Sequence, residues 1–137
     1  MQNEIEISEI LHRILTEVLV FAEINSQSIS EAKRDKVDAA LNLIRDNYFS
    51  DLDVSSMAKS VCMSPYHFSR SFKKATGYSP YNYLLDYRIG IAKALLCNSS
   101  YSIDEIADKS GFGSTNNFIV QFRKNCGVTP TKYRAQM

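Results

Sequence analysis

The chain has 137 residues, with 16 Lys and Arg against 15 Asp and Glu, a formal net charge of +1, and 45% apolar side chains. That length and composition fit one compact domain, or two small units sharing a core, and exclude wholesale disorder. The near-zero charge argues at first against a nucleic-acid partner, because duplex binders carry a basic excess.

Residues 5–24 contain neither Gly nor Pro, and Ile7, Leu11, Ile14, Val18 and Phe21 step by 4, 3, 4 and 3. This spacing predicts an amphipathic helix. Glu6, Glu9, Arg13, Glu17 and Glu23 prevent the segment from spanning a bilayer, so no membrane partner is expected. Asn25-Ser26-Gln27-Ser28 breaks the pattern and predicts a linker ending near Ser30, which divides the chain into an arm, 1–30, and a body, 31–137. The apolar stripe of the arm needs a cover. The body of the same chain, a twin helix in a homodimer through residues 5–24, or the rest of a longer regulator would each supply one.

The division separates the charge. Residues 1–40 hold eight acidic and four basic groups, net −4, while residues 41–137 hold seven acidic and twelve basic groups, net +5. The overall figure is an average over an acidic arm and a basic body, and the asymmetry restores a nucleic-acid partner.

In the body, Val37, Ala40, Leu41, Ile44 and Tyr48 mark a second helix. No run alternates as a strand would, and no hairpin turn signal occurs. Three prolines follow hydroxyl residues, at Ser64-Pro65, Ser79-Pro80 and Thr129-Pro130. The hydroxyl can cap free N–H groups of a first turn, where proline's missing N–H costs nothing. Ser102-Ile-Asp-Glu105 is a capping box, and Gly77 and Gly127 stand where helices should stop. Cys62, Cys97 and Cys126 are odd in number and form no C-x-x-C pair. They predict small, mostly buried thiols in a reducing compartment. His12 and His67 lie at no ligand spacing, so no metal or other cofactor is expected.

The body also repeats itself. Val54, Met57 and Ala58 match Ile103, Ile106 and Ala107 at an offset of 49. Ser64, Phe68, Phe72, Lys74, Gly77, Pro80 and Tyr83 match Ser114, Phe118, Phe122, Lys124, Gly127, Pro130 and Tyr133 at an offset of 50. The extra residue falls in Gly111-Phe112-Gly113. Each copy predicts a short helix, a tight turn and a longer helix with two core phenylalanines, in the first copy at about 54–60, 61–63 and 65–76. This is a helix-turn-helix layout, whose second helix enters a major groove.

The stretch Ser64-Pro-Tyr-His-Phe-Ser-Arg-Ser-Phe-Lys-Lys-Ala-Thr-Gly-Tyr-Ser-Pro80 resembles the first helix-turn-helix of the AraC/XylS family of bacterial transcription regulators. Ile103-Asp-Glu-Ile-Ala-Asp-Lys-Ser-Gly-Phe-Gly-Ser114, with Phe122-Arg-Lys-Asn-Cys-Gly-Val-Thr-Pro130 and Tyr133-Arg134, resembles the second motif of that family. The likeness covers roughly residues 36–135. It implies an all-α body of about seven helices, behind the N-terminal amphipathic helix. Two helix-turn-helix units, about 53–76 and 102–126, would be joined by a linker helix at about 80–96. It further implies a cytoplasmic, nucleoid-associated regulator that is an activator touching RNA polymerase, and not an enzyme. The sequence offers no Ser/His/acid set and no phosphate loop for catalysis. A helical protein-binding adaptor is the alternative, distinguished by showing no salt-dependent duplex binding.

On the first long helix Arg70 has the fork that pairs with guanine O6 and N7, and the resemblance places Tyr66 and Ser69 on the same base-facing side. His67, Lys73, Lys74, Arg123 and Lys124 are candidate phosphate contacts, with a merely solvated face as their alternative. The second long helix departs from the family pattern. Position 120 matches Arg70 in the repeat but is Val120, preceded by Ile119. Thr115, Asn116, Asn117 and Gln121 remain as base-contact candidates, while the apolar pair meets thymine methyls or packs on the protein. The second unit is therefore expected to add affinity more than sequence choice.

Overall fold

The computed structural model describes residues 2–25 and 31–137, and among them every regular element is a helix. In chain order these are α1 (Gln2–Asn25), α2 (Glu31–Asn47), α3 (Val54–Ser60), α4 (Pro65–Thr76), α5 (Pro80–Asn98), α6 (Ile103–Lys109), α7 (Thr115–Cys126) and α8 (Pro130–Ala135). The all-α class, with seven helices behind an N-terminal one, is as the sequence predicts. The expected linker falls on residues 26–30, outside those described.

Local chemistry explains the helix starts. Ser64, Ser79, Ser114 and Thr129 accept backbone N–H groups three residues on, from His67, Asn82, Asn117 and Lys132 at 3.1–3.3 Å. The two short helices carry capping boxes. Asp53 accepts from the Ser56 N–H at 2.7 Å while Ser56 Oγ accepts from the Asp53 N–H at 3.1 Å. Ser102 and Glu105 repeat the exchange at 3.1 and 2.8 Å. Four otherwise orphaned donors are thereby satisfied in helices of only seven residues.

The chain packs as two compact units, one of Leu11–Tyr48 and Leu52–Leu85, the other of Met1–Ile10, Phe49–Asp51 and Asp86–Met137. The first unit holds α2, α3 and α4. Its core is Val37, Ala40, Ile44, Met57, Ala58, Phe68, Phe72, Tyr83 and Leu84, all buried. Phe68 lies 5.6 Å from Phe72, and Tyr83 meets Phe72 edge-on at 5.4 Å, the arrangement aromatic quadrupoles favour. The second unit holds α6, α7, α8 and most of α5. It buries Ile89, Ala92, Leu96, Ile106, Ala107, Phe112, Phe118 and Phe122. Phe118 lies 5.6 Å from Phe122, and Tyr133 meets Phe122 edge-on at 5.4 Å. The repeat seen in the sequence is a repeat of core geometry.

α1 contributes to both units. Its inner face is Ile7, Ile10, Ile14, Val18 and Phe21, all half-buried. Leu11, expected in the stripe, is 45% exposed, and Ile10 takes its place. At 100° per residue Ile10 and Leu11 stand at opposite edges of this face, and it is the Ile10 edge that meets the body. In the second unit Ile10 sits over Gly90, where a Cβ would lie 3.0 Å from Ile10 Cγ2. In the first, Phe21 covers Gly77, where a Cβ would lie 2.7 Å from its Cζ. Two carboxylates share the inner face. Tyr133 donates its hydroxyl to Glu6 at 3.1 Å, and Tyr78 donates to Glu17 at 3.2 Å. The opposite side of α1 leaves Ile5, Leu11, Leu15 and Leu19 exposed.

The cysteines are less buried than expected. All three are reduced; Cys62 is exposed, and Cys97 and Cys126 are half-buried. Cys62 occupies the α3–α4 turn at φ 58°, so the turn conformation and not the core sets its place. Burial pushes the Cys97 and Cys126 thiols up, and the Glu6 carboxylate adds to the effect at Cys97.

Candidate nucleic-acid interface

Each unit presents the outer face of the second helix of its helix-turn-helix pair, α4 in the first and α7 in the second. In the first unit Phe68 and Phe72 fix α4 against α2 and α3, which turns Tyr66, His67, Arg70, Lys73 and Lys74 outward; all five are exposed. Ser69 is half-buried beside them. Arg70 Nη1 donates to Tyr66 Oη at 2.8 Å, and its guanidinium carbon lies 5.5 Å from the Tyr66 ring centroid. The pair is one turn apart, so the helix brings the groups together. Tyr66 thus holds a long side chain in one rotamer, and less entropy remains to be lost when its free N–H groups meet a ligand. Ser64 Oγ stands 2.8 Å from His67 Nδ1, which ties the ring to the helix cap. Lys73 and Lys74 stand in the last turn, where cations also favour the helix dipole.

In the second unit α7 is held in the same way by Phe118 and Phe122, and its exposed residues are Asn116, Asn117, Val120, Arg123, Lys124 and Asn125. Several polar groups at its start already have work within the fold. Thr115, half-buried, donates its hydroxyl to Asp104 of α6 at 2.6 Å. Asn117 donates its side-chain amide to the Phe112 carbonyl at 3.1 Å, bracing the turn between the two helices. Gln121 is half-buried, and its backbone carbonyl, not its side-chain amide, accepts the Asn125 amide at 2.8 Å. Asn116 is the fully outward polar candidate. Ile119 is half-buried, whereas Val120 is 59% exposed in the register of Arg70. The sequence leaves the Ile119–Val120 pair between meeting thymine methyls and packing on the protein, and the exposure of Val120 separates it from its neighbour.

Among the described residues no cluster of His, Cys, Asp and Glu could hold a metal ion, and no helix is long and apolar enough to cross a membrane. The two outer faces, polar and cationic over a buried aromatic base, therefore stand as the surface chemistry of the body.

Comparison with known proteins defines the class. The helix-turn-helix domain family matches residues 57–136. The chain belongs to this family, in its AraC/XylS form. Among curated relatives, the regulatory protein PocR of Salmonella typhimurium is 38% identical over 74% of this chain and 34% of that protein. The arabinose operon regulatory protein of Escherichia coli is 31% identical over 98% of this chain and 47% of that protein. The chain thus spans between a third and a half of these two relatives. Among solved structures, the DNA-binding domain of AdpA, a global transcriptional factor, in complex with a target DNA is 32% identical. It has a TM-score of 0.70 and covers 73% of this chain and 90% of that one.

Proposed function

We propose that the chain is a sequence-specific reader of double-stranded DNA that regulates transcription, with α4 and α7 as its recognition helices in adjacent major grooves. The observation that carries this reading is the repeated unit itself. Twice, a pair of buried phenylalanines with a tyrosine edge-on against it fixes a twelve-residue helix so that its polar and basic face is outward. The likeness to a domain solved on its target DNA supports it. In this reading Arg70, held by Tyr66, reads a guanine, and Ser69, Thr115, Asn116, Asn117 and Gln121 line the base-facing sides. His67, Lys73, Lys74, Arg123 and Lys124 contact phosphates. We infer activation, with RNA polymerase as a partner, on the AraC/XylS likeness alone. The outward row of Leu11, Leu15 and Leu19 on α1 supports a homodimer through residues 5–24.

Selection of bound fragments from random duplex DNA, followed by titration at several salt concentrations, tests the reading. A defined motif and a steep fall in affinity with salt are expected. Enrichment of no motif, with no salt dependence, would instead mark a helical protein-binding adaptor. Insertion of two residues within 84–95 of α5 is expected to abolish specific binding; an unchanged footprint overturns the adjacent-groove reading.

A further inference from the structure

Val120 has no folding reason for its place. It is 59% exposed in the interior of a helix, and β-branched residues are middling helix formers. Its neighbours one turn away on the same face are Asn116, Asn117, Arg123 and Lys124, all exposed and polar. An aliphatic side chain thus stands at the centre of the one cationic face of α7. The half-buried neighbour Ile119 supplies the packing side of this apolar pair, which leaves Val120 outward. In α4 the same register holds Arg70, in the same frame of Tyr66, His67, Lys73 and Lys74. The hydrogen-bonding alternatives around Val120 are reduced, because Thr115 is bound to Asp104 and the Asn117 amide to the Phe112 carbonyl. The major-groove edge of a base pair offers an aliphatic side chain one apolar partner, the C5-methyl of thymine.

We propose that Val120 reads a thymine methyl, so that the part of the operator met by α7 contains a thymine packed on this side chain. The proposal rests on the reading of α4 and α7 as recognition helices. The two units then read by different chemistry, the first by the hydrogen-bonding fork of Arg70 and the second by apolar contact at Val120. The second unit becomes a selector for a methylated pyrimidine edge, and not only a source of affinity.

The experiment uses the full chain and the duplex motif it selects. Each thymine in the motif is replaced in turn by deoxyuridine, which removes the methyl and leaves pairing intact. Binding is measured for the wild type, Val120→Ala and Val120→Thr, with thermal unfolding as a check on folding. At one thymine, deoxyuridine is expected to weaken wild-type binding by about three- to fivefold, the scale of one buried methyl group. In Val120→Ala that factor is expected to fall below about twofold while the effects at the other thymines persist. Val120→Thr, which keeps the shape and replaces one methyl by a hydroxyl, is expected to lie between. A set of deoxyuridine effects identical in wild type and Val120→Ala overturns the proposal while leaving the DNA-reading function standing. Failure to select any motif overturns that function itself.

Discussion

The two helix-turn-helix units have the same interior and different exteriors. Inside, Phe68, Phe72 and Tyr83 match Phe118, Phe122 and Tyr133 in ring distance, and both Phe–Tyr pairs meet edge-on. The turns match as well. Cys62 and Met63 donate to the carbonyls of Lys59 and Ala58, and Gly111 and Phe112 donate to those of Asp108 and Ala107. Outside, the first unit carries Tyr66 and Arg70 where the second carries Asn116 and Val120. A packed core tolerates few rearrangements, so duplication preserves it; the exposed face is free to change because its ligand and not the fold constrains it.

The largest expected effects test the shared interior. Phe72→Ala and Phe122→Ala remove side chains with no exposure, and each is expected to cost about 3–5 kcal/mol in urea unfolding. A loss below about 1 kcal/mol at either would break the equivalence of the two cores. The next test concerns the exterior. Arg70→Ala is expected to lose about ten- to a hundredfold in discrimination at one base pair, the scale of one bidentate contact. Asn117→Ala, whose amide braces the turn, is expected to lower affinity while keeping base preference. Equal relaxation of preference by both would remove the ranking of the two helices.

Smaller effects separate units that look alike in backbone. Gly77 and Gly127 end α4 and α7 at φ 84° and 80°. Alanine at either costs about 1–2 kcal/mol for the left-handed conformation. Gly77→Ala must also displace Phe21, while the space beside Gly127 is open. Gly77→Ala is therefore expected to be the more destabilising, with part of the difference recovered when Phe21→Ala is added. Equal losses would show that α1 does not rest on that turn in solution. In the other turns, Cys62 holds φ 58° where the second unit has Gly111 at φ 90°. Cys62→Gly is expected to raise stability by about 1 kcal/mol in thermal unfolding, and no gain would mean the turn is already relaxed.

The smallest effect is a pH dependence. The backbone N–H of Ser56, and then its hydroxyl, hold the exposed Asp53 carboxyl below its usual value. A depressed folded value means the cap's contribution is present above the unfolded value of about 3.9 and is lost as pH falls through the folded one. Asp53→Asn is expected to flatten stability against pH between about 5 and 2 relative to wild type. A slope unchanged in that variant would place the acid sensitivity elsewhere.

The local sequence carries the elements and their repetition, because caps, prolines and aromatic spacing act within a few residues. Ser64-Pro65, the Ser102–Glu105 box and the Phe pairs at four-residue spacing specify helix starts and buried faces without reference to the rest of the chain. It also placed Arg70, whose exposure follows from the burial of Phe68 and Phe72 on the other side of α4. Packing in three dimensions settled what distant segments do to one another. It exchanged Leu11 for Ile10 on the inner face of α1 and set Phe21 on Gly77. It tied Glu6 and Glu17 to tyrosines 127 and 61 residues away. It also committed Thr115 to Asp104. Those outcomes depend on which surfaces meet in space, and no local spacing of residues carries that information.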